Sequence, residues 1–117
     1  MAHIVVMDDD ASVRDVIGEA LKRDGHEVQA FEDAAPALDE VDFDGVDLVV
    51  SDLVMPTPGD QFMLVLQHDG FEVPVIIVSA NLNEERKDYL KELGAEAVLE
   101  KPFDVRELLE IVKAALP

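Results

Sequence analysis

Three stretches of this chain, "HIVVM" at residues 3–7, "VDLVVS" at 46–51 and "VPVIIVS" at 73–79, carry apolar side chains at consecutive positions. A strand with one face in water alternates apolar and polar residues. A run this continuous belongs to a strand covered on both faces. Two shorter segments, "EVQAF" at 27–31 and "EAVLE" at 96–100, complete a set of five. Between consecutive strands lie segments long enough for a helix, which is the crossover that parallel neighbours require.

The intervening segments read as helices with identifiable ends. Residues 11–24 place Val13, Val16, Ile17, Ala20 and Leu21 on one stripe, with Asp10 as N-cap and Gly25 closing the helix. Asp33 can cap a second helix running to about Val41, with Pro36 tolerated in its first turn. A third helix begins near Asp60 and stops at Gly70, and a polar fourth covers 83–93 before Gly94. Asp104 with Glu107 forms a capping-box pattern for the last helix over 104–116, lined by Val105, Leu108, Leu109, Val112 and Leu116. Strand and helix thus alternate from end to end. The expected fold is α/β, one five-stranded parallel sheet wound in both directions with helices on both faces.

Composition narrows the rest. A chain of 117 residues with 49% hydrophobic content is expected to form a single domain over 1–117 with a real core. Twenty-seven acidic residues against nine basic ones give a net charge of −18, which disfavours nucleic acid and anionic membrane as partners. No cysteine is present, and neither a leader pattern nor a membrane-length apolar run stands out, so a cytoplasmic protein is expected. His3, His26 and His68 are far apart and lack ligand spacing, so structural or surface roles are expected for them.

In doubly wound sheets the chemistry sits beyond the carboxyl ends of the strands. Those ends carry Asp8-Asp9-Asp10, Ser51-Asp52, Ser79-Ala80 and Lys101-Pro102, while the second strand ends less informatively in Phe31-Glu32. Each element has a bland reading: an aspartate before a helix is a cap, a serine a turn residue, Lys-Pro a helix entry. Their joint placement on one rim gathers carboxylates, a hydroxyl and an ammonium, which those readings leave unexplained.

The motifs "VVMDDDASVR", "VVSDLVMP", "VIIVSA" and "VLEKPF" occur in that order over nearly the whole chain. In these the sequence resembles the receiver domain of two-component response regulators, of the chemotaxis-receiver type. The resemblance implies a flavodoxin-like sheet of order 2-1-3-4-5. It also implies that Asp52 accepts a phosphoryl group, and that Asp8, Asp9, Asp52 and the main-chain carbonyl of Val54 hold Mg2+. Asp9 would be the more direct ligand, with Asp8 acting through water. Ser79 and Lys101 would contact the phosphoryl group, and the Lys101–Pro102 bond would be cis. The implied partners are a histidine kinase or a histidine phosphotransfer protein, and a downstream target or effector domain, with the chain a monomer or weak dimer. A stand-alone receiver and one cut from a longer chain both fit.

Mg2+ is a hard cation that takes oxygen ligands, so crowding carboxylates is costly without it and favourable with it. A phosphoryl-transfer transition state needs positioned positive charge rather than proton shuttles. Two departures from the family pattern stand out. Val98 occupies the place, three before the lysine, where many receivers have a switching aromatic, so a readout carried by loop movement is expected. "MPTPGDQF" has Gly59-Asp60 where Asp followed by Gly is commoner, adds Pro58, and leads into Phe62-Met63-Leu64-Val65-Leu66. That apolar run is expected to be buried, with a contact face as the other reading. An unphosphorylated scaffold is the rival function, but it has no need of Asp8, Asp9, Asp52, Ser79 and Lys101 together. A metabolite phosphatase would need a second acid near Asp52 and a lid, for which the chain lacks the length.

Overall fold

Parallel pairing fixes every strand of this protein against its neighbours. The computed structural model describes residues 1–116. In it β1 (His3–Met7), β2 (Glu27–Phe31), β3 (Leu48–Ser51), β4 (Val75–Ser79) and β5 (Ala97–Glu100) form one sheet of order β2-β1-β3-β4-β5. All four pairings are parallel. The crossovers are α1 (Ala11–Arg23), α2 (Ala34–Glu40), α3 (Gly59–His68) and α4 (Glu84–Leu93), and α5 (Val105–Ala115) follows the last strand. The fold class and strand order are those expected.

Successive side chains of a strand point to opposite faces, and here both faces are apolar. Ile4, Val6, Leu48, Val50, Ile76 and Val78 pack with Ile17 and Leu21 of α1 and Leu108 and Val112 of α5. Val5, Met7, Val49 and Ile77 pack on the other side with Phe62, Met63 and Leu66 of α3 and Leu90 of α4. That second layer also holds Phe43, whose ring is tilted against Phe62 at 5.7 Å and Phe71 at 6.1 Å between centroids.

Several boundaries shift for local reasons. A 3-10 turn at Phe43–Gly45, which the hydrophobic pattern did not show, brings Phe43 inward. Its closing bond from Val46 N–H to Phe43 O at 3.2 Å delays β3 to Leu48 rather than 46. Pro74 has no N–H for the ladder, and β4 starts at Val75 rather than 73. The caps at Asp10 and Asp33 form as expected, each accepting from main-chain N–H groups of its helix. Asp104 caps α5 through Arg106 N, but among the described residues Glu107 does not complete the box.

The helix stripes are narrower than their apolar residues suggest. Val16 of α1 is half exposed, because the helix turns that position toward solvent beside α5. In α3 the apolar run divides: Phe62, Met63 and Leu66 are buried, whereas Leu64 and Val65 are 47% and 38% exposed. Burial therefore accounts for three of the five, and the helical period leaves the other two outside. Phe62→Ala is expected to lower unfolding free energy by about 3–5 kcal/mol. Val65→Glu should change it by less than about 0.5 kcal/mol. Urea unfolding followed by circular dichroism checks both.

Candidate functional site

Register builds the site. Met7 pairs with Ser51, so the next residues, Asp8 and Asp52, leave the sheet level with each other. Asp52 N donates to Met7 O at 2.8 Å and Asp8 N to Phe31 O at 3.1 Å, so both main chains are still tied to the strands. Both residues are buried, at 1% and 6% exposure. Ser79 pairs with Glu100, and Lys101 N donates to Ser79 O at 2.8 Å. That bond aims Lys101 back across the sheet end. Its Nζ lies 2.8 Å from Asp8 Oδ2 and 3.3 Å from Asp52 Oδ2.

Asp9, by contrast, is exposed. Asp8, Asp9 and Asp52 each offer one carboxylate oxygen, all within 4.8 Å of one another. Among the described residues no other group of three or more acidic, histidine or cysteine side chains could hold a metal ion in this way. The three histidines stay outside it: His3 bonds Gly45 O and Gln29 near the opposite sheet end, His26 accepts from Ala2 N, and His68 is exposed. An oxygen-only cluster suits a hard divalent cation, and the residues fit Mg2+.

Neighbours hold the carboxylates in place. Asp8 Oδ1 accepts from Asp10 N at 2.9 Å, while Asp10 caps α1 through Ser12 N. Asp52 Oδ1 accepts from Val54 N at 3.3 Å, and Val54 is 70% exposed in the loop that follows. The Asp52 carbonyl accepts from Ser51 Oγ at 2.7 Å, and a Cβ at Gly59 would collide with that carbonyl oxygen. The start of α3 thus packs directly on the Asp52 main chain only because residue 59 is glycine. Ser79, the last residue of β4, is buried, and the Lys101–Pro102 bond is cis.

Charge at this site is unbalanced. Burial pushes the Asp8 carboxyl above its usual value, and Asp52 pushes the same way, against the bonds from Lys101 and Asp10. Burial alone would lower the Lys101 ammonium. The bond to Asp8 and the attraction of Asp8 and Asp52 outweigh it and raise the lysine. The two shifts differ in meaning because one ammonium serves several carboxylates. Lys101 gains from both Asp8 and Asp52, while each carboxylate receives only a share. Three carboxylates and one ammonium leave a formal surplus of two negative charges.

Residues 4–113 match the family model of the response regulator receiver domain. The chain belongs to that family. It is 32% identical over 116 residues to the sensory transduction protein RegX3 of Mycobacterium bovis, a match covering 99% of this chain and 51% of that protein. RegX3 of Mycolicibacterium smegmatis is 31% identical over the same share. The chain spans about half the length of these curated relatives. Among solved structures, the chemotaxis protein CheY4 of Vibrio cholerae superposes with a TM-score of 0.89 at 28% identity, covering 99% of both chains. The receiver domain of NtrX from Brucella abortus gives 0.88 at 28% identity, covering 97% of each. A receiver domain is a signalling module of two-component response regulators rather than an enzyme of metabolism. No described helix of this one is long and apolar enough to cross a membrane.

Three contacts escaped the sequence reading. Arg14 Nη1 donates to the Asp8 carbonyl at 2.7 Å, one helical turn beyond the acidic run. Gly59 makes the close approach to Asp52, and Asp33 bonds Thr57 across the loops. Lys101→Met is expected to cost about 3 kcal/mol at neutral pH, the low end for breaking a buried pair. The sign follows from the shifts. Without Lys101 the folded Asp8 pKa rises further, so the deficit shrinks as pH falls through it toward the ordinary 3.8. Lys101's own contribution is complete below 10.5 and is lost as pH rises through its raised folded pKa, so the deficit also closes there. Urea midpoints of wild type and variant across pH test both limbs.

Proposed function

We propose that this receiver accepts a phosphoryl group on Asp52 from a histidine kinase or histidine phosphotransfer protein and passes the signal on through altered protein contacts. The observation that carries the reading is the convergence of the Asp8, Asp9 and Asp52 carboxylates within 4.8 Å, with Lys101 bonded to Asp8 and Asp52. In this reading a carboxylate oxygen of Asp52 attacks phosphorus and forms a new P–O bond. The P–N bond of the donor phosphohistidine breaks, and its electron pair stays on the imidazole nitrogen. No proton need leave Asp52, which reacts as the carboxylate.

Asp8, Asp9, Asp52 and the Val54 carbonyl are the groups that would hold Mg2+. When bound, the ion supplies positive charge to the phosphoryl oxygens and offsets the carboxylate surplus. Lys101 neutralises charge from the sheet side and, being tied to both acids, reaches the acceptor without a large movement. The Ser79 hydroxyl, on the neighbouring strand end, donates to a phosphoryl oxygen in this reading. Asp9, the exposed member of the three acids, would be the one an entering ion meets first.

The product adds about 1.5 to 2 negative charges and three strong acceptor oxygens at Asp52. Those oxygens compete with Asp8 for the Lys101 ammonium and draw Ser79 toward them. The segments that follow Ser79 and Lys101 lead into α4 and α5, so a local rearrangement biases the α4–β5–α5 surface. Val98, half-buried in β5, offers no ring to rotate, and the readout rests on the loops. The downstream element is a separate protein target or an effector domain of a longer chain. Such a module works in the cytoplasm as one receiver domain over 1–117, monomeric or weakly dimeric, without contacting nucleic acid itself.

Intact mass after incubation with acetyl phosphate tests the reading. Wild type is expected to gain a single phosphoryl group with Mg2+ present and little with chelator, and Asp52→Asn is expected to gain none. A wild type that stays unlabelled with Mg2+ would support the unphosphorylated scaffold instead.

A further inference from the structure

The segment "MPTPGD" begins three residues beyond Asp52 and runs into the start of α3, and its prolines make it unusual. Pro56 and Pro58 have no N–H, so Thr57 carries the sole main-chain donor among residues 56–58. That donor bonds Asp33 Oδ1 at 2.7 Å, and the Thr57 hydroxyl bonds Asp33 Oδ2 at 2.9 Å. Both oxygens of one carboxylate thus grip one residue from a different loop, 24 positions away. The same Asp33 side chain caps α2 through Ala35 N at 3.2 Å.

The rest of the loop has few other anchors. Leu53 and Met55 are buried, Gly59 N donates to Leu53 O at 3.0 Å, and Val54 N reaches Asp52 Oδ1 at 3.3 Å. Val54 and Pro56 face solvent. Releasing Thr57 would leave residues 56–58 held by the proline rings and by the bond from Phe62 N to Pro58 O at 3.0 Å, which lies at the α3 end of the loop. The Asp33 carboxylate is itself well satisfied. Burial raises its pKa, but the bonds from the Thr57 N–H and hydroxyl and from Ala35 and Ala34 outweigh it and hold the group ionised.

We infer that Asp33 is a positioning residue for the Asp52 site: its two-point grip on Thr57 sets the 53–58 loop, and with it the main chain of Val54, in the geometry that binds the cation and receives the phosphoryl group. This rests on the proposed reading of the Asp52 site. The grip acts at a distance, since Asp33 is not among the acids gathered with Asp52. Outer partners that orient ligating groups commonly change metal affinity by 10–100-fold when removed.

The test separates the cap from the grip. Asp33→Ser keeps a good helix cap, but its single short hydroxyl cannot accept from both Thr57 groups. Mg2+ affinity by isothermal titration of the folded proteins is expected to fall about tenfold in Asp33→Ser. In Thr57→Val, which loses only the hydroxyl bond, it should fall about threefold. Acetyl-phosphate labelling should slow in the same order. Amide exchange of Gly59 and Val54, measured without Mg2+, should quicken in Asp33→Ser. Asp33→Glu, which keeps both acceptor oxygens, should recover part of the affinity. Wild-type Mg2+ affinity and labelling in Asp33→Ser would overturn the inference, whether or not exchange quickens, because the grip would then serve stability alone. A wild type that takes neither Mg2+ nor phosphoryl group overturns the reading of the site itself, and is recognised by failure of the parent protein rather than of the variant.

Discussion

Asp8 and Asp52 stand side by side because β1 and β3 pair in parallel, with Met7 opposite Ser51. Neither residue can retreat from the other without breaking the main-chain bonds that tie it to the sheet end, from Asp8 N to Phe31 O and from Asp52 N to Met7 O. The apolar layers on both faces hold that register, since a slip of one residue would exchange every inward side chain for its neighbour on the other face. Stability generated across the sheet thus maintains an electrostatically unfavourable arrangement at its rim. Clusters of perturbed, closely placed acids of this kind mark candidate functional sites.

The compensation inside the protein is deliberately incomplete. Lys101 reaches both acids, yet the Asp8 carboxyl still sits above its usual range because burial outweighs what a shared ammonium returns. Even a second lysine would leave one of the three carboxylates without a positive partner. The geometry also ties two of the strand ends to each other. Lys101 and Ser79 are joined through the main chain, by the bond from Lys101 N to Ser79 O. Around them, Gly59 under the Asp52 carbonyl and Asp33 on Thr57 fix the remaining loop.

Much of this was legible in the order of residues. Unalternated strands such as "VPVIIVS" imply a sheet covered on both sides, and the rule that chemistry gathers at carboxyl ends singles out Asp8, Asp9, Asp52, Ser79 and Lys101 as candidates. Resemblance to receivers added the strand order and the cis bond at Pro102, and both are present. What stayed hidden depends on contacts between distant segments. The turn at Phe43–Gly45 joins a local cap, Asp42 Oδ1 on Asp44 N, to the packing of Phe43 against Phe62 and Phe71, and the second part is what the sequence does not display. Val16 reads as core by spacing, but its place at the edge of α1 leaves it half exposed. The Asp33–Thr57 grip had one readable sign, a lone N–H between two prolines, which gains meaning only when the opposite loop is seen.

The claim on which the account turns is that the fold assembles a carboxylate surplus that a divalent ion relieves. Urea unfolding of wild type and Asp9→Asn, with Mg2+ and with NaCl of matched ionic strength, tests it most directly. Asp9 is exposed, so its replacement leaves the core intact and alters the charge of the carboxylate cluster. The account predicts that Mg2+ at a hundred times its Kd stabilises wild type by about 2.7 kcal/mol beyond the NaCl control. The gain should largely vanish in Asp9→Asn, and that variant should be no less stable than wild type in chelator. Equal stabilisation of both proteins, or none in wild type, would contradict it.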